Sequence, residues 1–218
     1  MVMLKNALLC LGLSTVALGA SAHELWLERD ANGPVRVYLG EPDEGVLETG
    51  ETITALAPTT QVFTGDRSAT AKVVAREDHL EAAVSERGDV RSYNGDVWKP
   101  WKDEQGRYTA ALMEARAGRT ESKAVLDYEL VPVTANSNRF TLLFKGQPVA
   151  AHEVTLLDPN RQALKLKTDG QGIVDVPVKG KGRFILASGY QTPGNGYEVA
   201  GQKMDTLYYG TTTSFVVD

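Results

Sequence analysis

The chain is poor in cysteine, in long apolar runs and in excess positive charge. Cys10 is the only cysteine among 218 residues, so no intrachain disulfide is available and the fold must be held by its core. The one sustained apolar run, Ala7–Leu18, has 12 residues, too few for the roughly 20 that span a bilayer as a helix. With 23 Lys and Arg against 28 Asp and Glu, the chain is acidic, which excludes the basic footprint of a nucleic-acid binder. Familiar catalytic signatures are missing as well. There is no Gly-x-Ser-x-Gly elbow, no phosphate-cradling glycine loop and no His-Glu-x-x-His.

The amino-terminal segment has the three parts of a secretory signal: a positive charge at Lys5, the apolar run, and the small-residue tripeptide Ala20-Ser21-Ala22. Residues 1–22 are therefore expected to be cleaved. Cys10 sits inside the apolar run behind the bulky Leu9, not at its end as a lipidated cysteine would. Removal of the leader takes Lys5 and leaves 22 basic against 28 acidic side chains, a net charge of −6. No further long apolar segment follows, so a soluble, exported protein of the bacterial periplasm is expected.

The mature chain reads as all-β. "VRVYLG" (35–40) sets Val35, Val37 and Leu39 against Arg36 and Tyr38, and "HLEAAVSE" places Leu80, Ala82 and Val84 on one face. "RYTAALMEARAG" (107–118) fits a strand or a short helix. A Pro and a polar cluster in "ELVPVTANSNRF" mark a boundary near 133/134. Beyond it come "RFTLLFKGQPV", "EVTLLDPN", "ALKLKTDGQGIVDVPV", "GRFILASGY" and "LYYGTTTSFVVD", alternating runs separated by turn residues. The expected organisation is an N-terminal β-rich region over 23–133 and a C-terminal immunoglobulin- or transthyretin-like β-sandwich over 134–218, expected to fold alone.

Cleavage after Ala22 would make His23 the first residue. A terminal histidine offers its free α-amine and its imidazole Nδ1 together, closing a six-membered chelate ring around one metal ion. Amine and imidazole nitrogen suit copper, nickel, cobalt or zinc rather than calcium or magnesium. The other histidines are the candidates to complete such a site. His152 shares strand parity with Val154 and Leu156, so it points toward the packed face, where a neutral imidazole bonded to a carbonyl is the plainer expectation. His79, on the opposite parity from Leu80, is expected to be a solvated residue of a charged strand. Met204 is expected in a loop. The acidic run Glu41, Asp43, Glu44, Glu48 and Glu51 is read as a solvated loop, or as a gatherer of cations. Trp98 and Trp101 flank Pro100 and serve either core packing or an aromatic platform.

"SAHELWLE", "ARAGRTESKAVLDYELVPVT", "LLFKGQPVAAHEVTLLDPN", "TDGQGIVDVPV" and "YYGTTTSFVV" together resemble a NikM-like family of bacterial periplasmic proteins. That family carries a domain of unknown function and is described as a periplasmic component of nickel and cobalt uptake. The resemblance implies a non-enzymatic periplasmic β-protein that handles nickel, cobalt or copper beside an inner-membrane or TonB-dependent outer-membrane transporter. It departs at His152, where family members carry a small residue. Two other functions compete with metal uptake: a copper-dependent oxidative enzyme that begins with its ligating histidine, and a non-catalytic module binding glycan or protein through Trp98 and Trp101.

Overall fold

The computed structural model describes residues 23–31 and 33–218; the expected leader, with Cys10, lies outside the described residues. The first strands are β1 (Glu24–Arg29), β2 (Val35–Glu41) and β3 (Val46–Leu47), followed by a short helix α1 (Glu51–Leu56). Next come β4 (Gln61–Phe63), β5 (Val73–Ala75), β6 (Leu80–Ala82), β7 (Val90–Asn94), β8 (Trp101–Lys102) and β9 (Tyr108–Ala117). The middle of the chain adds β10 (Tyr128–Pro132), β11 (Arg139–Phe144), β12 (Gln147–Pro148), β13 (Glu153–Leu157) and β14 (Ala163–Lys167). It ends with β15 (Ile173–Asp175), β16 (Gly182–Pro193), β17 (Glu198–Val199), β18 (Gln202–Lys203) and β19 (Thr206–Val217). The protein is thus all-β as expected, with α1 the one helix among the described residues. No helix among them is long and apolar enough to cross a membrane.

The largest sheet has the order β14-β13-β16-β19-β9-β7-β4, with β8 also paired to β9. Its centre is a parallel pairing of β9 and β19, from Thr109 opposite Thr206 to Ala117 opposite Ser214. The 107–118 segment, open between strand and helix in the sequence, is strand. Its alternation is hidden because both faces are covered: Ala111, Met113, Ala115 and Ala117 point into one core, Ala110 and Leu112 into another. A strand buried on both sides reads as a nearly continuous run instead of an alternating one.

Each core is closed by a smaller sheet. On one side β1-β2-β6-β5 supplies Leu25, Leu27, Val35, Val37, Leu39, Leu80 and Ala82, joined by Ile53 and Leu56 of α1. On the other, β10 and β11 supply Tyr128, Leu130, Phe140 and Leu142 against Val154, Leu156, Phe184, Leu186 and Phe215. The result is three stacked layers with the large sheet in the middle. Residues on both sides of 133/134 contribute strands to that middle sheet, and the position itself falls between β10 and β11, which pair with each other.

One glycine matters for the site. Gly40 has φ +152°, and a Cβ there would lie 2.2 Å from the Val46 carbonyl oxygen. Only a residue without a side chain lets β2 turn this tightly into β3. That turn folds the acidic segment 41–48 back on the start of β1.

Candidate functional site

His23 stands immediately before β1, whose first residue Glu24 pairs with Gly40. The tight β2–β3 turn, with Glu41 opposite Val46 and the Glu48 N–H donating to the Leu39 carbonyl at 2.9 Å, brings both ends of the acidic segment beside the His23 ring. Nε2 lies 2.7 Å from Glu48 Oε1, and Nδ1 lies 3.6 Å from Glu41 Oε1. A carboxylate only accepts, so a neutral imidazole here carries its proton on Nε2 and donates it to Glu48. Nδ1 then keeps its lone pair, facing Glu41. The His23 side chain is 34% exposed, open enough to meet a solute.

The rest of the site is built from the middle sheet. Thr212 Oγ1 donates to the Leu25 carbonyl at 2.8 Å, and Ser214 Oγ bonds the Leu27 carbonyl, which pins β1 across β19. Tyr208, on the same face of β19, pairs in register with Gln191 of β16, and Trp101 of β8 pairs with Thr109 of β9. These neighbouring strands place Tyr208, Gln191 and Trp101, with Trp98 and Lys99, around a groove of about 590 Å³ that has His23 as one wall. Trp98 also packs against the first core, whereas Trp101 is 40% exposed.

The charges around His23 are unequal. Burial, reinforced by the Asp43 carboxylate, pushes the Glu24 carboxyl up to about 8, so at neutral pH it is largely a protonated acid. Burial and then Glu24 push the Tyr208 phenol up to about 12, which keeps it neutral.

The other candidate ligands lie elsewhere. The His79 side chain is only 16% exposed, with Nδ1 2.6 Å from Asp78 Oδ1 and its ring 5.4 Å from that of Tyr38, which stacks on Trp26. The expected solvated position is thus replaced by a largely covered one. His152 Nε2 donates to the Gly189 carbonyl at 2.8 Å, with its ring edge-on to Tyr128 and Tyr190. Met204 lies in the loop between β18 and β19 as expected, but is 4% exposed, packed into the second core. Among the described residues no group of three or more His, Cys, Asp or Glu side chains is arranged to hold a metal ion.

The sequence flagged the acidic run without identifying Glu41 and Glu48 as partners of His23. Tyr208 and Gln191 left no signal at all, because their nearness to residue 23 depends on β1 packing across β19 of another sheet, more than 160 positions away.

The domain of unknown function DUF4198 matches residues 20–192. The match takes in His23, Glu41, Glu48, both tryptophans of the groove and Gln191, and ends within β16, leaving Tyr208 and β19 outside it. No curated protein matches the chain. A match over this much of its length shows the affiliation: the chain belongs to the DUF4198 family.

Proposed function

We propose that the protein is a periplasmic binder of nickel, cobalt or copper that serves metal uptake, with the ion held by His23 once removal of residues 1–22 has freed its α-amine. The observation that carries this reading is the placement of two carboxylates on opposite edges of one ring, Glu48 at Nε2 and Glu41 beside Nδ1. Metal-bound histidines commonly donate their second nitrogen to a carboxylate, which fixes the tautomer and raises the basicity of the ligating atom. Glu48 would do this, leaving Nδ1 and the amine to chelate. Glu41 would supply a harder third donor and partly neutralise the ion.

The free amine is central to this donor set, because among the described residues the side chains alone do not converge in sufficient number. His79 and His152 have no part in it, because the first lies beside Tyr38 and the second beside Tyr128 and Tyr190, away from the His23 ring. Nickel and cobalt as cargo, and a membrane transporter as partner, rest on the NikM-like resemblance. Intact mass and metal content of the protein isolated from the periplasm test the reading together. The expected result is a chain beginning at His23 with one equivalent of transition metal; a chain beginning elsewhere would remove the chelate.

A further inference from the structure

We infer that a second pocket, lined by Arg67, Lys145 and four aromatic rings, binds a small aromatic acid: a flat ring carrying one carboxylate. It shares no lining residue with the His23 groove, so the metal reading stands or falls separately. Tyr208 and Tyr209 alternate along β19, the first packing against one core and the second within the other. The pocket lies on the Tyr209 side and measures about 490 Å³, within the roughly 300–1,000 Å³ of small-molecule sites. Two tight turns frame it. Asn195 and Gly196 have φ 47° and 84°, and the Tyr197 N–H donates to the Gly194 carbonyl at 2.8 Å. This is the two-residue turn that an Asn-Gly pair favours. Lys145 and Gly146, with φ 48° and 76°, make a similar turn between β11 and β12, and the Lys145 N–H donates to the Asp127 carbonyl at 2.6 Å. Tyr197 and Lys145 are thus held in place over Leu112, Leu207 and Tyr209 of the second core.

Charge decides the class of ligand. The Arg67 guanidinium lies 3.5 Å from the centroid of the Tyr93 ring, and its Nε donates to the neutral amide of Gln61 at 2.8 Å. Lys145 Nζ stands 5.3 Å from the Phe144 ring and 5.9 Å from that of Tyr209. Neither cation has an ion-pair partner among the described residues, although acidic side chains outnumber basic ones in the chain. Asp127, the one carboxylate lining the pocket, is exposed and bridges neither of them, which leaves one net positive charge on the wall. An exposed cation–π contact is weaker than a charge-assisted hydrogen bond. An entering carboxylate therefore engages both cations without displacing a protein anion. Burial, and then Tyr197, push the Tyr93 phenol up to about 12, so at neutral pH it is an uncharged donor that does not repel an anion. The rings of Tyr93, Phe144, Tyr197 and Tyr209 favour a flat aromatic body by stacked and edge-on contact.

The test is an NMR titration of the isotope-labelled mature protein with benzoate, benzamide and acetate. Benzoate should shift the amide signals of Gly194, Gly196 and Tyr197. Benzamide keeps the ring without the charge, and acetate keeps the charge without the ring. Each should bind about tenfold more weakly than benzoate, the size of one charge-assisted hydrogen bond or one well-made aromatic contact. Arg67→Gln and Lys145→Gln, both at exposed positions, should each weaken benzoate about tenfold and leave the spectrum of the free protein otherwise unchanged. Absence of benzoate binding, shifts centred outside the pocket, or either control binding as tightly as benzoate would overturn the inference. So would benzoate affinity left unchanged in either variant.

Discussion

Glu129 shows how single residues in this protein depend on distant ones. Its Oε1 accepts from Arg91 Nε at 3.2 Å and Arg116 Nη1 at 2.9 Å, while Oε2 accepts the Val125 and Leu126 N–H groups at 2.6 and 3.0 Å. Arg116 also meets Asp89, and Arg91 meets Glu121. Both guanidiniums and Glu129 are fully buried. Removing one partner from such a set strands buried charge, so Glu129→Ala should cost about 3–5 kcal/mol, read from the urea midpoint at constant m. Glu114 lies near this set without an arginine of its own; it accepts the Asp127 and Tyr128 N–H groups. Burial raises its carboxyl from the ordinary 4.5 to about 7. Below pH 4.5 it is protonated in both folded and unfolded chains, and no penalty arises. As pH rises to about 7 only the unfolded chain ionises freely, and stability is lost. Glu114→Gln should abolish that loss, so native stability relative to the variant should fall by up to about 3 kcal/mol between pH 4.5 and 7.5. Urea titrations across that range check it; a flat difference would show that Glu114 ionises in the fold as it does in the unfolded chain. None of these pairings was legible in the sequence, where the charged residues of "DVRSYN" and "MEARAGRTESKAVLDYELVPVT" gave no hint of which buried partners they meet.

At the scale of elements, the sequence spoke clearly wherever a strand has one wet face. "VRVYLG" alternates because β2 buries Val35, Val37 and Leu39 and leaves Arg36 and Tyr38 half-exposed. It spoke poorly for β9, which is covered on both faces and carries Glu114 and Arg116 inside; the β19 run was legible as strand, though not its pairing with β9. Those two strands also form the parallel pair that joins the halves of the chain, and a parallel partner far away in sequence leaves no local signature. The C-terminal segment 134–218 lacks β9, β7 and β10, which cover one edge of β19 and pair with β11. Expressed alone, it should show no cooperative thermal transition by circular dichroism. A sharp two-state transition would mean that β16, β19 and β11 close a core without the middle sheet's other strands.

For the whole molecule, three layers around one shared sheet supply the buried surface that a chain with a single cysteine needs. The same arrangement sets His23 where β1 crosses β19, so that a residue from the start of the chain shares a groove with Gln191 and Tyr208 from near its end. In the sequence His23 stood out by its position after Ala22, and the acidic run by its composition; their meeting depends on the Gly40 turn and on the pairing of β1 with β2. The proposed metal site depends on the α-amine of His23, and one comparison isolates it. The mature protein and a form with a single Gly placed ahead of His23 keep every side chain in common, including Glu41 and Glu48. Titrating both by calorimetry at neutral pH with Ni(II) and Co(II), which do not displace the amide proton of a Gly-His terminus there as Cu(II) does, should give one tight site in the native form and far weaker binding in the extended one, whose residue 23 nitrogen is an amide. Equal affinity of the two forms would contradict the amine–imidazole chelate.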